Sequence, residues 1–589
     1  MTTTRRSTWL LPAACLMTLG LALSAWAAPR SRPASAPATK NPTPAAKPPA
    51  ATASAPTSAP ASAPATSPAG RGGMRRGMFA KARRIAALND KLAEAFKAQQ
   101  LDKCEPLIKQ ILEIDPNSPI GWYNYACYQS RVAQGDKAIE SLAKAIKCGY
   151  SGYSYMQRDP DLDAIRKLPG YRKLQDLQDQ FQRQRADKVR DALAKQFGQD
   201  YAYEIDHDRK LVFATNIDSR TLTEMKDRLT AYATAQWKDL FDSRFDTYLT
   251  IVIPRNEDWR WGATIGGFYS QASNMLIART VGLTLVHEFT HALHRADQQG
   301  RGQSHPIWMT EGLATLFESS RMVDGHAVPE PNGRLNALQR IIRRNRQIPL
   351  AELVKISHAK FMEDPTASYS EARYLMVYLY SKGLLRKWYE AYCDGYESDE
   401  TGRAAMEKIL GKKLGEIEKD WHKWVLDQKP ALTRLPPDSA YIGIQLRQAT
   451  DGVEITSIVR GGGADKAGLK VGDVILEVDG ERVFDPEELM NVVHERNAGD
   501  TVKIRYRRDG KRAESAVTLT RMPAAGSMPS TRQTRPAETA PASRPAGPAP
   551  AGRPATSAPS SGPASAPAGR PPARRTMPPA IKVDRSKAA

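Results

Sequence analysis

Two histidines four positions apart, His287 and His291, with Glu288 beside the first and Glu311 twenty positions on, constrain this chain more than any other feature. On a helix, residues i and i+4 share a face about one turn apart, so their imidazoles can converge on one metal ion at about 2.0–2.1 Å. Glu288 lies on a neighbouring strip of the same helix. It can face a metal-bound water without binding the metal, which suits a general base. The preceding run Val281-Gly282-Leu283-Thr284-Leu285-Val286 is apolar enough to bury the helix that carries these residues.

Two routes lead to a third protein ligand. One continues along the same helix, where an extended pattern wants Gly at 294 and His at 297. This chain has His294 and Asp297 there, and without the glycine the helix has no easy sharp turn. The other route is the segment from His305 to Glu318. Pro306 and Thr310 suit a helix start, and apolar residues recur at helical spacing. Glu311, in its first turn, is taken as the ligand. Glu318, two turns on along the same face, reads as a supporting partner or an exposed carboxylate. His294 reads as a satisfied or solvent-facing histidine.

His287-Glu288-Phe289-Thr290-His291 together with Trp308-x-x-Glu311-Gly312-Leu313-Ala314 resembles the gluzincin branch of zinc metallopeptidases, over about residues 200–428. The resemblance implies one Zn2+ held by His287, His291 and Glu311, with Glu288 as general base. It implies that Gly266 to Tyr269, followed by Met275 to Ala278, forms an edge strand above the site. Gly267, Phe268 and Tyr269 would then hold an extended peptide by strand addition. It also implies that Tyr369, in Ser368-Tyr369-Ser370-Glu371-Ala372, donates to a developing oxyanion. The implied activity is zinc-dependent peptide hydrolysis, with internal cleavage preferred because no anchoring acidic motif precedes the histidine pair. The competing reading is a non-catalytic or partner-gated envelope scaffold with a structural zinc.

A chain of 589 residues is too long for one core. Arg5 and Arg6, the apolar stretch Trp9 to Ser24 and Ala25-Trp26-Ala27 read as a signal peptide, residues 1–27, cleaved near Ala27. Export to the periplasm or cell envelope follows, a retained N-terminal anchor being the alternative. Cys104, Cys127, Cys148 and Cys393 show no paired metal spacing and read as free, buried thiols, one disulfide among the first three being the alternative. Of the net charge of +21, residues 28–76 carry seven Lys/Arg and no acids, and residues 524–589 carry ten Lys/Arg against two acids. Both stretches are Ala/Pro/Ser-rich and cannot bury a core, so 28–77 reads as a disordered linker and 523–589 as a disordered tail. They could touch an anionic envelope polymer. Nucleic acid is excluded as a partner, because no recognition motif accompanies the charge.

Residues 78–195 are helical, with an internal repeat of 34 residues that resembles the tetratricopeptide unit. Trp122, Tyr125, Ala126, Ala138, Leu142 and Ala145 fall at its large and small positions, which implies a protein partner. At 437–522, Gly461 to Gly480 resembles the PDZ signature, and Tyr441-Ile442-Gly443-Ile444 its carboxylate-binding loop. Ile442, Gly443 and Ile444 are the candidate ligand residues there, and a C-terminal tail the candidate ligand. The fold class expected is multidomain α+β: tetratricopeptide-like helices, a zincin-type α+β domain and a PDZ module.

Overall fold

The computed structural model describes residues 72–262, 265–431, 439–522 and 531–532. The expected signal peptide, nearly all of the expected linker and nearly all of the tail lie outside them. The described chain is multidomain α+β, with many helices and a C-terminal β-sheet module. It divides into two compact units, one ending at Tyr150 but including Asp159–Gln178, the other made of Ser151–Arg158 and the chain from Asp179 on.

In the first unit, α1 (Gly72–Lys97), α2 (Leu101–Ile114), α3 (Pro119–Arg131) and α4 (Gly135–Lys147) pack in chain order. The start of α1 at Gly72 lies inside the stretch expected as linker. Met74 to Lys81 contains good helix formers, which the low-complexity composition just before it obscures. Ser118 caps α3 by accepting from the Gly121 amide, and Pro119 takes the first helical position. Cys104, Ile108 and Ile111 bury one face of α2, and Ala138, Leu142 and Ala145 one face of α4. Asp159 is buried and accepts from the Tyr123 hydroxyl at 2.6 Å. All four described cysteines are free thiols.

In the second unit a five-stranded sheet has the order β1-β2-β3-β5-β4. Its strands are β1 (Ala202–Asp206), β2 (Leu211–Thr215), β3 (Leu249–Ile253), β4 (Gly267–Ser270) and β5 (Met275–Ala278). The middle pairings, β2 with β3 and β3 with β5, are parallel, and the edge pairings are antiparallel. Every residue of β2 and β3 is buried, which is why both read as unbroken apolar runs. The later half of α5 (Pro169–Phe197) places Ala186 and Leu193 against Val212 and Val252. Between β2 and β3 runs α6 (Ser219–Asp239), capped by Asp218.

Beyond the sheet come α7 (Leu283–Arg301) and α8 (Ile307–Glu318). Gly302 at φ +67° ends α7 with its amide bonded back to Gln298 and Gln299. A hairpin of β6 (Ser320–Val323) and β7 (His326–Pro329) follows, then α9 (Gly333–Arg343), α10 (Pro365–Ser381), α11 (Leu385–Gly395), α12 (Arg403–Leu410) and α13 (Leu414–Asp427). Gly312 lets α8 lie close on α10: a Cβ there would stand 2.9 Å from the Ala372 carbonyl oxygen.

The C-terminal module contains β8 (Ala440–Tyr441), β9 (Ile444–Gln448), β10 (Val453–Val459), β11 (Val474–Val478), β12 (Glu481–Arg482), α14 (Pro486–His494), β13 (Thr501–Arg508) and β14 (Lys511–Thr518). Two short strands, β15 (Thr520–Arg521) and β16 (Thr531–Arg532), close it against β8 and β10. Ile442, Ile444, Val453, Ile455, Leu489 and Val493 meet in one core. The module packs on α6 through paired charges. Arg220, Glu224 and Arg228 face Glu477, Arg482 and Glu488 respectively. The Arg228 guanidinium also stands 4.6 Å above the Phe484 ring. Nearby, the Val281 amide donates to the Thr450 carbonyl at 2.9 Å.

Candidate functional site

Helix α7 carries His287 and His291 on one face, and α8, packed against it, brings Glu311 to the same point. The two Nε2 atoms are 3.1 Å apart, and Glu311 Oε2 lies 3.3 Å from His287 Nε2 and 3.4 Å from His291 Nε2. These three atoms form the one group among the described residues whose His, Cys, Asp or Glu donors could hold a metal ion. Glu311 Oε2 is buried and aimed between the two imidazoles, at distances longer than a good hydrogen bond, and the Tyr369 hydroxyl also bonds to the Glu311 carboxylate. That donor set fits a divalent cation.

The surroundings hold the three residues in place. His287 Nδ1 bonds to Glu318 Oε2 at 2.7 Å, fixing the ring so that Nε2 faces Glu311. Glu318 is buried and pairs in turn with Arg334. It is therefore a supporting partner and not an exposed carboxylate. Against the upward push of burial, the imidazoles of His291 and His287 hold the Glu311 carboxyl well below the usual carboxylate range.

Glu288 is 8 % exposed and accepts a hydrogen bond from the Tyr269 backbone amide on β4. Burial pushes its carboxyl above the usual value, in the direction that suits a proton acceptor working near neutrality. Tyr369, on α10, is half-buried beside Phe361 and Arg334. Burial, and then the carboxylates of Glu311 and Glu288, push its phenol well up, so it stays a donor. Gly267 on β4 has no room for a side chain, since a Cβ would lie 2.8 Å from both the Ile277 oxygen and Thr284 Cγ2. The structure thus gathers His287, Glu288, His291, Glu311 and Tyr369, with Tyr269 alongside. Ile442, Gly443 and Ile444 stand apart in the C-terminal module, with Gly443 at φ +89°.

His294 and Asp297 serve other ends. His294 Nε2 bonds to His305 Nδ1 at 2.7 Å, both rings are buried, and burial pushes His294 down to about 3, so it stays neutral. Asp297 accepts from the Asp242 and Ser243 amides, from Arg301 and from the Tyr389 hydroxyl. The His305 ring is itself enclosed by Tyr389, Tyr392 and Tyr396. The residue that sequence reasoning missed is Arg334, and Gly312 was read only as part of the motif and not for its packing. Gly312 had a signal, a glycine in the middle of an otherwise apolar helix.

Residues 440–519 match the model of the PDZ domain. Among curated proteins, the chain is similar to the serine protease Do-like HtrA of Lactobacillus helveticus, 39% identical over 69 residues, covering 12% of this chain and 17% of that protein. It is also similar to a DegP-like periplasmic serine endoprotease of Chlamydia muridarum, 34% identical over 93 residues, covering 16% and 19%. A solved structure of the HtrA3 PDZ domain bound to a phage-derived ligand is 18% identical, covers 14% of this chain and 86% of that one, and superposes with a TM-score of 0.13.

These findings correct the family expectation. The relatives are HtrA- and DegP-type serine proteases, not gluzincins. The gluzincin kinship, the zincin-type domain, Zn2+ as cofactor and the zinc-dependent activity are overturned on that ground. The resemblance rested on two short helical segments, which carry little family information outside their own turns. The chain spans about a sixth to a fifth of the length of the curated relatives it matches.

Proposed function

We propose that this chain hydrolyses peptide bonds at the cluster of α7, α8 and α10, and recruits its protein substrates through the PDZ module. The observation that carries the reading is the triangle of His287, His291 and Glu311 donor atoms with Glu288 at its side. The protease names of the relatives that share the module support the same class of reaction.

His287, His291 and Glu311 would hold a divalent cation. Around that site the chain's own residues supply the acid–base chemistry. Glu288 takes a proton from the attacking water and returns it to the leaving amine, so water's two hydrogens end on the new carboxyl and the new amine. Tyr369 O–H donates to the oxygen on which negative charge develops. The β4 backbone aligns the substrate, and the Tyr269 amide orients Glu288 while doing so. With the export expected from the N-terminus, this activity would lie in the periplasm or envelope. The helical repeats of the first unit offer a second protein-binding surface.

The test is degradation of an unfolded protein by the full chain, with Glu288→Gln alongside and a fluorophosphonate that labels reactive serines. The reading expects loss of turnover by about 10²–10⁴-fold in the variant and none with the fluorophosphonate. Turnover that survives Glu288→Gln and is abolished by serine labelling would place the chemistry elsewhere.

A further inference from the structure

Within the second unit, a cleft of 670 Å³ lies between the C-terminal module and the start of the β4 ladder. Its walls include Gly266, Arg279 and Thr284 on one side and Arg447, Gln448 and Thr450 on the other. That volume is in the range of sites that enclose a ligand, about 300–1,000 Å³. Each wall continues into a strand with a free edge. Among the described residues β4 pairs with β5 alone and β9 with β10 alone.

The polarity of the two edges is the informative part. A peptide whose terminal carboxylate sits at Gly443, the start of β9, runs antiparallel to β9 and leaves it, going upstream, at Gln448. Gln448 lines the cleft, and so does Gly266, the residue before β4. Continuing upstream along β4 from Gly267 to Ser270, the same peptide runs antiparallel to β4 as well. It passes Tyr269, whose amide holds Glu288. One polypeptide can therefore serve both edges without reversing direction. Arg447 is paired with Glu454 and Arg507 with Asp451. Arg279 has a neutral partner, Asn256, bonded at 3.1 Å. Its remaining guanidinium donors suit an anionic group entering the cleft, since the two carboxylates lining it, Glu454 and Asp451, are taken by Arg447 and Arg507.

We propose that a single extended substrate tail occupies the β9 groove, the cleft and the β4 edge together, with an acidic side chain of the substrate on Arg279. This rests on the reading of the cluster given above, and it makes the PDZ module a ruler. At about 3.3 Å per residue, five residues cover β9 and a few more cross the cleft, so the bond presented to Glu288 lies roughly eight to twelve residues from the C-terminus.

The experiment uses the full chain with Glu288→Gln and a peptide of about fifteen residues, at about 3.3 Å each long enough for the whole path. The peptide ends in valine with a free carboxylate, carries aspartate near its middle, and bears a benzophenone at one upstream position at a time. The expected result is crosslinking from middle positions to Arg279 and Thr284 and from outer positions to β4, abolished when the carboxylate is amidated. Arg279→Glu should weaken binding of this peptide about tenfold, a change of about 1.4 kcal/mol, and leave a five-residue peptide ending in the groove unaffected. Crosslinks confined to the C-terminal module, or crosslinks indifferent to amidation, would overturn the path, as would failure of the peptide to bind. Because the readout is position and not turnover, it stands or falls separately from hydrolysis at the cluster.

Discussion

Glu318 illustrates how much the site depends on residues that never touch a ligand. Its bond to His287 Nδ1 sets which ring nitrogen faces Glu311, and Arg334 keeps it ionised. Glu318→Gln should lower the affinity for a divalent ion by about 10–100-fold, read by competition with a chelating dye, with the fold intact by circular dichroism. A second buried acid acts on stability instead. Burial, with Glu418 and Asp364 nearby, pushes Glu371 up to about 8 from 4.5. Folding thus favours its protonated form. Its contribution is complete below the unfolded value of 4.5 and is lost as pH rises through about 8. Glu371→Gln keeps an acceptor for the Ile348 amide and should stabilise the protein by roughly 1–3 kcal/mol at pH 8 but little at pH 4.5. Urea unfolding at the two pH values checks this. At this scale the sequence was legible where spacing encodes geometry, as for His287 and His291. It was silent on Arg334, whose role depends on a fold that brings α9 to α8.

Helices α7, α8 and α10 form the smallest assembly that makes sense of the cluster. Gly312 sets the approach of α8 to α10, and with it the distance from Glu311 to Tyr369. Gly312→Val would drive a side chain into the Ala372 carbonyl and Met376. The expected cost is about 1–3 kcal/mol, with loss of metal binding exceeding that of Glu318→Gln. Spacing located α7 and α8, whereas the parallel pairing of the apolar strands β2 and β3 became visible only in the fold. What the pattern could not show was β-order: β5 lies between β3 and β4, a pairing set by tertiary packing. Composition also hid the start of α1, because the Ala/Pro/Ser-rich stretch before it gives no boundary signal.

Across the whole second unit, the C-terminal module is held to α6 by charge. Arg220, Glu224 and Arg228 at successive helical turns form a stripe that is visible in the sequence, yet nothing local says what covers it. Arg228→Ala would leave Glu488 without its cation. It should cost about 2–5 kcal/mol, felt as faster hydrogen exchange in α14 and β11 and not in α7. High salt should loosen the same contact in the wild type, less steeply because Arg228 is largely desolvated. The family resemblance of the helical segments did not survive comparison with known proteins, while the PDZ signature did, since about eighty residues of turns and strands carry far more information than two helix turns. The most direct measurement is turnover of an unfolded protein by the full chain and by Glu288→Gln, with bound divalent metal counted in both. Equal metal is expected in both, about one ion per chain by the count of convergent ligands, with activity in the wild type alone. Equal activity in both proteins would contradict it.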